Sequence, residues 1–498
     1  MRKTGRPVMG IFLFLLLAAP LCAQGEFWGE LKAGPYGVGF RVTYQSDTAR
    51  SYDADYPSPG KPQTKKPRPI LVALWYPAPP DQGKAMVHRD YFRVLTLDSG
   101  APEFAPRLRK FTHDQAALYM LGKEFDELSA EDRGRYDGLL ATPVFAVLNA
   151  PAAEGRFPVV IYHPGLGGTY EDNAVACEFL ASHGYVVVSS AYQPADSSEL
   201  SIDGDLETSF ADLAFLLRYA AALPFVDPDK VAAIGHSYGA QAVLGWRAQP
   251  GSPLDAVVFL DSALEYAGFD APQFTRLKAA VERNPKSSTP ILLFADRSRH
   301  PRFETFDPYL KFAPRYDAGT PPLEHNAFVS QGAIVKDDEV RRRYEAVCDL
   351  ALKFLDGYVR GDAEAIKALH GENLRYRAPA PAPPTGAQLA RLYRTETLAN
   401  AQSMMKAADA EALIGAASIL FDDDEKKQAV DLLKSAARLL PRSAAVAEAL
   451  ATALQQTGDL PAARSAYEKA LSLLAGDDML TEVEKAQLRQ SIEEALKK

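Results

Sequence analysis

The 498-residue chain has three cysteines. Cys22 lies close to the N-terminus, so only Cys177 and Cys348 are left for the body of the protein, and at most one disulfide can form there. Stability must come from a buried core, and 47% hydrophobic with 24% charged residues is an ordinary supply for one. Basic tracts are missing too. The longest run is Arg341-Arg342-Arg343, reading as a solvated helix face, beside pairs such as Lys65-Lys66, and the net charge is −9, so nothing points to a nucleic-acid partner. The His, Cys, Asp and Glu spacings contain no metal-ligand cluster, and no cofactor is expected. Gly34, Gly37 and Gly39 do not form a nucleotide loop, because a strand-like run rather than a helix follows them.

The apolar run Ile11-Phe12-Leu13-Phe14-Leu15-Leu16-Leu17 falls short of the ~20 residues that a membrane span needs. Arg2, Lys3 and Arg6 precede it and Leu21-Cys22-Ala23 follows, which is the layout of a cleaved signal peptide over residues 1–23. A lipid anchor on Cys22 is the weaker reading, since bulky Leu21 stands before it. The expected location is secreted or periplasmic. There Cys177 and Cys348 could pair or remain buried thiols, and sequence leaves both open.

Phe40-Arg41-Val42-Thr43-Tyr44 and Ile70-Leu71-Val72-Ala73-Leu74-Trp75-Tyr76 read as an antiparallel pair of strands. Residues 81–150 read as an insertion with helices, one of them starting at the Ser129 cap; it would serve as an acyl-pocket wall or lid, or as a structural elaboration. From Phe157 onward, apolar strands at 159–163, 186–189, 231–234, 256–260 and 291–294 alternate with helical stretches at 171–183, 206–223 and 340–357 and one beginning after Ser237. This pattern predicts an α/β fold, a doubly wound and mostly parallel sheet with helices on both faces, over residues 24–375. A Pro-rich linker at 376–386 leads to a small all-α domain at 387–498. Within it Ala429, Leu433 and Ala436 recur as Ala463, Tyr467 and Ala470, the ~34-residue period of tetratricopeptide repeats. Gly458 marks the turn in the second copy, and Asp424 stands at that point in the first.

The segment Gly235-His236-Ser237-Tyr238-Gly239 sits between a predicted strand and a predicted helix. The chain must turn sharply there, which presents Ser237 Oγ at the strand's C-terminal end and at a helix N-terminus. Serine in that setting is a candidate nucleophile and needs a base, an orienting acid and donors for an oxyanion. The glycine-rich stretch His163-Pro164-Gly165-Leu166-Gly167-Gly168 follows an earlier strand. It makes the N–H groups of Leu166 and Tyr238 the expected oxyanion donors, with His163 as a prop for the loop. Sheets of this design run Ser, acid, His along the chain, which selects His325 as base; His300 follows its strand too closely and His370 lies beyond the closing helix. Asp261 and Asp296 each end a strand after the elbow, and either carboxylate could orient the imidazole.

These segments, together with Gly34-Pro35-Tyr36, Trp75-Tyr76-Pro77 and His325-Asn326, resemble the platelet-activating-factor acetylhydrolase branch of the α/β-hydrolase superfamily, related to the dienelactone-hydrolase-like group. The resemblance spans about residues 26–360. It implies Asp261 as the acid, and calcium-independent hydrolysis of esters with a short or oxidised acyl chain through an acyl-enzyme. The expected partner is a small ester or lipid-like substrate. The rival readings are an amidase or peptidase with the same triad, and an inactive hydrolase-fold scaffold that binds a protein, or a second copy of itself, through the C-terminal repeats.

Overall fold

The computed structural model describes residues 26–53, 65–80, 83–96, 105–191, 205–249, 251–284, 286–320, 322–372, 374–380, 384, 386–395, 405–406, 408–477, 480 and 482–497. The signal peptide expected at 1–23 and part of the Pro-rich linker lie outside the described residues. The chain divides into two compact units, 1–380 and 381–498.

The first unit is built on a ten-stranded sheet. Its strands are β1 (Gly37–Asp53), β2 (Lys65–Ala78), β3 (Ala146–Leu148), β4 (Phe157–His163), β5 (Val186–Ser189), β6 (Val226–His236), β7 (Ala256–Leu260), β8 (Ile291–Asp296), β9 (Arg315–Thr320) and β10 (Arg375–Arg377). The spatial order is β10-β9-β8-β7-β6-β4-β5-β2-β1-β3. From β5 to β9 neighbouring strands are parallel, whereas β2 is antiparallel to both β1 and β5 and β10 to β9. The β1/β2 ladder slips once, between Asp47 and Ser51, and β3 pairs with β1 only at Val38–Phe40. This is the doubly wound, mostly parallel α/β arrangement that the sequence predicts.

Alternate residues of the central strands feed two separate cores. Val160 and Tyr162 of β4, Val258 and Leu260 of β7, and Leu292 and Phe294 of β8 belong to one. Their neighbours Val159, Ile161, Val257, Phe259, Ile291 and Leu293 belong to the other. Every residue of β4, β5, β7 and β8 is buried, which is why these strands read as continuous apolar runs. The first face is covered by helices Ala174–Ser182 and Asp338–Val359, the second by Leu206–Ala221, Tyr238–Arg247 and Thr275–Glu282.

The 81–150 segment forms helices His88–Arg93, Ala105–Leu121 and Ala130–Leu140 and then strand β3. Its Tyr91, Phe92, Leu108, Met120, Tyr136 and Leu140 are part of the first core. Tyr91 Oη donates to buried Glu178 Oε1 at 2.6 Å. The segment is thus a wall of the domain, at least at these residues.

Several boundaries differ from the sequence pattern: β6 begins at Val226 rather than at 231, and β9 (Arg315–Thr320) has no counterpart in it. The helix read from Glu171 starts at Ala174, because Glu171 and Asp172 turn inward and accept hydrogen bonds from Thr169 Oγ1 and Tyr162 Oη at 2.5 and 2.6 Å. The sheet also runs past residue 375, since Arg375–Arg377 pairs with β9. The buried thiols of Cys177 and Cys348 are free, and both line one small apolar cavity of about 20 Å³.

The second unit contains helices Gly386–Thr395, Ala410–Asp422, Lys426–Leu439, Ala444–Gln456, Leu460–Leu473 and Glu482–Leu496. Ala429, Leu433 and Ala436 are buried on the third helix, and Ala463, Tyr467 and Ala470 on the fifth. The turns before these helices hold Asp424 at φ 63° and Gly458 at φ 85°. Aspartate tolerates this left-handed backbone better than most side chains, so it substitutes for the missing glycine.

Candidate active site

At the end of β6 the chain enters helix Tyr238–Arg247 through Ser237, whose φ of 53° and ψ of −121° lie outside the regions that a serine ordinarily occupies. Such a conformation costs ~1–3 kcal/mol and persists only where its surroundings over-determine it. Here the two glycines do so. A Cβ on Gly235 would lie 2.3 Å from Gly239 O, and one on Gly239 would lie 2.1 Å from His163 O. Strand, helix and the end of β4 therefore approach more closely than any side chain permits. Ser237 N–H donates to Leu260 O at 3.0 Å and ties the elbow to β7.

Asp261 follows β7, also with a left-handed φ of 52°, and is fully buried. Its Oδ2 accepts from His325 Nδ1 at 2.5 Å and its Oδ1 from Tyr266 Oη at 2.6 Å. Burial works against the charged form, but the hydrogen bonds from His325 and Tyr266 outweigh it and hold the carboxyl below the usual aspartate range. Since an ionised carboxylate only accepts, Nδ1 of His325 carries the proton and Nε2 is left as the basic nitrogen.

His325 opens the short turn His325–Phe328, and its carbonyl accepts from His236 Nε2 at 3.0 Å. The two imidazoles lie 4.7 Å apart, so the residue before Ser237 fixes the loop that carries His325. Burial, and then the neighbouring His325, push His236 down to about 3, which keeps it neutral. Among the described residues, Ser237 Oγ and the His325 ring do not close a hydrogen bond in this structure.

The glycine-rich loop passes beside the serine. A Cβ on Gly165 would lie 3.3 Å from Ser237 Cβ and 3.2 Å from His236 Nδ1. Gly168 N–H donates to Gly165 O at 2.8 Å, closing a turn around Leu166 and Gly167. Leu166 follows the glycine that touches Ser237, and Tyr238 begins the helix that Ser237 caps, so both backbones border the serine. His163 is buried, with Nδ1 2.7 Å from Pro164 O and its ring against Tyr238, in the position of a support for the loop.

Asp296 is engaged elsewhere. Its carboxylate accepts from Ser298 N at 2.9 Å and from Ser298 Oγ at 2.8 Å, capping the turn Arg297–Arg299. His300 sits at the end of that turn, and His370 Nε2 is 3.3 Å from Tyr316 Oη. The structure thus brings Asp261 and His325 together at the elbow and leaves Asp296 outside. Among the described residues no group of three or more His, Cys, Asp or Glu side chains is placed to hold a metal ion, and no helix is long and apolar enough to cross a membrane.

Sequence alone did not single out Tyr266, Arg299 or the ring of His236. The only local signal was position, because His236 is the second residue of the Gly-x-Ser-x-Gly pattern. Tyr266 reaches Asp261 only because Asp261 and Ala263 both take left-handed backbone and fold the chain back.

No family model matches the chain, and neither does any curated protein. Among solved structures it is similar to a ferulic acid esterase from Streptomyces cinnamoneus, at 18% identity and a TM-score of 0.44, over 72% of this chain and 97% of that one.

Proposed function

We propose that the protein is a serine hydrolase that cleaves short-chain, acetyl-like carboxylic esters of phospholipid-derived type through an acyl-enzyme. One observation carries this reading: the 2.5 Å contact of His325 Nδ1 with Asp261 Oδ2, beside a serine held in left-handed backbone between two glycines. In the proposed reaction His325 Nε2 takes the Ser237 proton as Oγ attacks the ester carbonyl. The N–H groups of Leu166 and Tyr238 receive the oxyanion. The imidazolium, stabilised by Asp261, passes its proton to the leaving alcohol. Water activated by the same nitrogen then releases the acid.

The equivalent buried positions on helices Lys426–Leu439 and Leu460–Leu473, with matching left-handed turns, support reading 387–498 as a tetratricopeptide-type module that captures a protein partner or a second copy of the chain. Export through the leader-like N-terminus belongs to the same proposal.

The test is fluorophosphonate labelling of the full chain alongside 4-nitrophenyl esters from acetate to octanoate and a matched anilide. Labelling with turnover of the short esters is the expected result. Preferential anilide cleavage would turn the reading toward an amidase, and a folded protein that neither labels nor turns over ester would overturn it.

A further inference from the structure

We infer that Tyr266 is a positioning residue for the Asp261–His325 pair, holding the carboxylate oxygen that the histidine does not use. This rests on the serine-hydrolase reading and adds a fourth side chain to it.

Asp261 has two oxygens and each has its own partner: His325 takes Oδ2 and Tyr266 Oη donates to Oδ1 at 2.6 Å. The same Tyr266 oxygen accepts from the backbone N–H of Asp296 at 2.9 Å. The hydroxyl therefore bridges the residue that ends β8 to the acid that follows β7. Its proton has one direction to go, because its acceptor site is filled by an N–H. Arg299 lies flat on the ring with its guanidinium carbon 3.9 Å from the centroid, and its Nη1 is 3.8 Å from Asp261 Oδ2. Arg302 Nη2 holds the Tyr266 carbonyl at 2.7 Å. Burial, and then the bond to Asp261, push the phenol well above its ordinary range, so it remains a donor wherever the imidazole titrates.

The groups facing Asp261 fix the sign of the pH effect. His325 and Arg299 approach Oδ2, Tyr266 holds Oδ1, and His236 and Glu265 are close by. Glu265 is pushed up to about 8 by burial and then by Asp261 itself, so it is largely neutral at pH 7. The Tyr266 hydroxyl takes up part of the carboxylate charge. Without it Asp261 keeps more of its charge and holds the imidazolium that forms in the reaction more firmly. The acid limb of the rate profile moves up accordingly.

The experiment compares Tyr266→Phe and Arg299→Gln with the wild-type full chain. It records kcat and KM for 4-nitrophenyl acetate from pH 5 to 9 at two salt concentrations, with fluorophosphonate labelling in parallel. Tyr266→Phe keeps the ring under Arg299. It is expected to lower kcat about tenfold at unchanged KM and to move the acid limb up by roughly half a pH unit. Arg299 is half exposed, so Arg299→Gln moves the limb in the same direction by less, and salt erases that shift. A folded Tyr266→Phe with wild-type kcat and limb overturns the inference. So does one whose kcat falls while its limb stays put, since ring packing alone would do that. Should Tyr266→Phe not fold, an unmoved limb in Arg299→Gln at low salt overturns it. Wild type that does not label at all defeats the hydrolase reading instead, so the two failures are told apart.

Discussion

At the C-terminal ends of β6 and β7 the chain holds Ser237 and Asp261 in left-handed backbone, and the Asp261 side chain is buried between His325 and Tyr266. In the C-terminal unit the left-handed residues are Asp424 and Gly458, and both merely reverse the chain between helices. The same backbone state does two jobs. In the helical unit it is a local convenience that aspartate or glycine can supply. At the ends of the central strands it aims Ser237 and Asp261 at one place, and strand pairing, two glycine contacts and the Asp261–His325 hydrogen bond go with it.

That contrast can be broken at several points. Ser237→Ala should have the largest effect, abolishing fluorophosphonate labelling and lowering ester turnover by about 10⁴ or more. Asp261→Asn should cost about 10³–10⁴ in kcat, while Asp296→Asn, which can still cap Ser298, should stay within about twofold; parallel kinetics on one ester reads both. Gly239→Ala forces a Cβ to 2.1 Å from His163 O and should lower stability by about 3 kcal/mol, seen as an earlier urea midpoint together with lost labelling. Asp409→Ala removes the cap that accepts from Ala412 N at 2.8 Å. It should cost about 1 kcal/mol in the helical unit and leave ester turnover untouched, and a turnover loss there would break the separation.

The smallest effect concerns Glu265. Burial raises its folded pKa to about 8 from an ordinary 4.5. The folded state therefore holds that proton more tightly than the unfolded chain does. Stability from this group is present below about pH 4.5 and is lost as pH rises toward 8. Glu265→Gln should shrink the fall in urea midpoint between pH 5 and 8; an unchanged fall would assign it to other buried acids such as Glu171, which burial raises to about 7.

The elbow was legible because its signal is local: two glycines, a serine, an apolar strand before and a helix after. His325 was legible from chain order. Asp261 and Asp296 were not separable by pattern, since each ends an equally apolar strand, and only the path of the chain after the strand sends one carboxylate to His325 and the other to Ser298. Tyr266 left no trace at all, because its contact depends on two left-handed residues that no periodicity encodes. The short strands β3 and β10 escaped for a related reason. Three residues at a sheet edge are fixed by what they pair with, not by their own preference.

The long first hairpin has a consequence for how the molecule meets others of its kind. β3 covers β1 only as far as Phe40, yet β1 runs on to Asp53. An open strand edge of that length invites a neighbouring chain to add to it. The slip between Asp47 and Ser51 spoils its regularity. Arg50 of this strand pairs with Asp47 and with Asp212 of helix Leu206–Ala221, both at 2.7 Å. Among the described residues, the slip and these charges keep the strand from being the long, flat, apolar edge that templates aggregation.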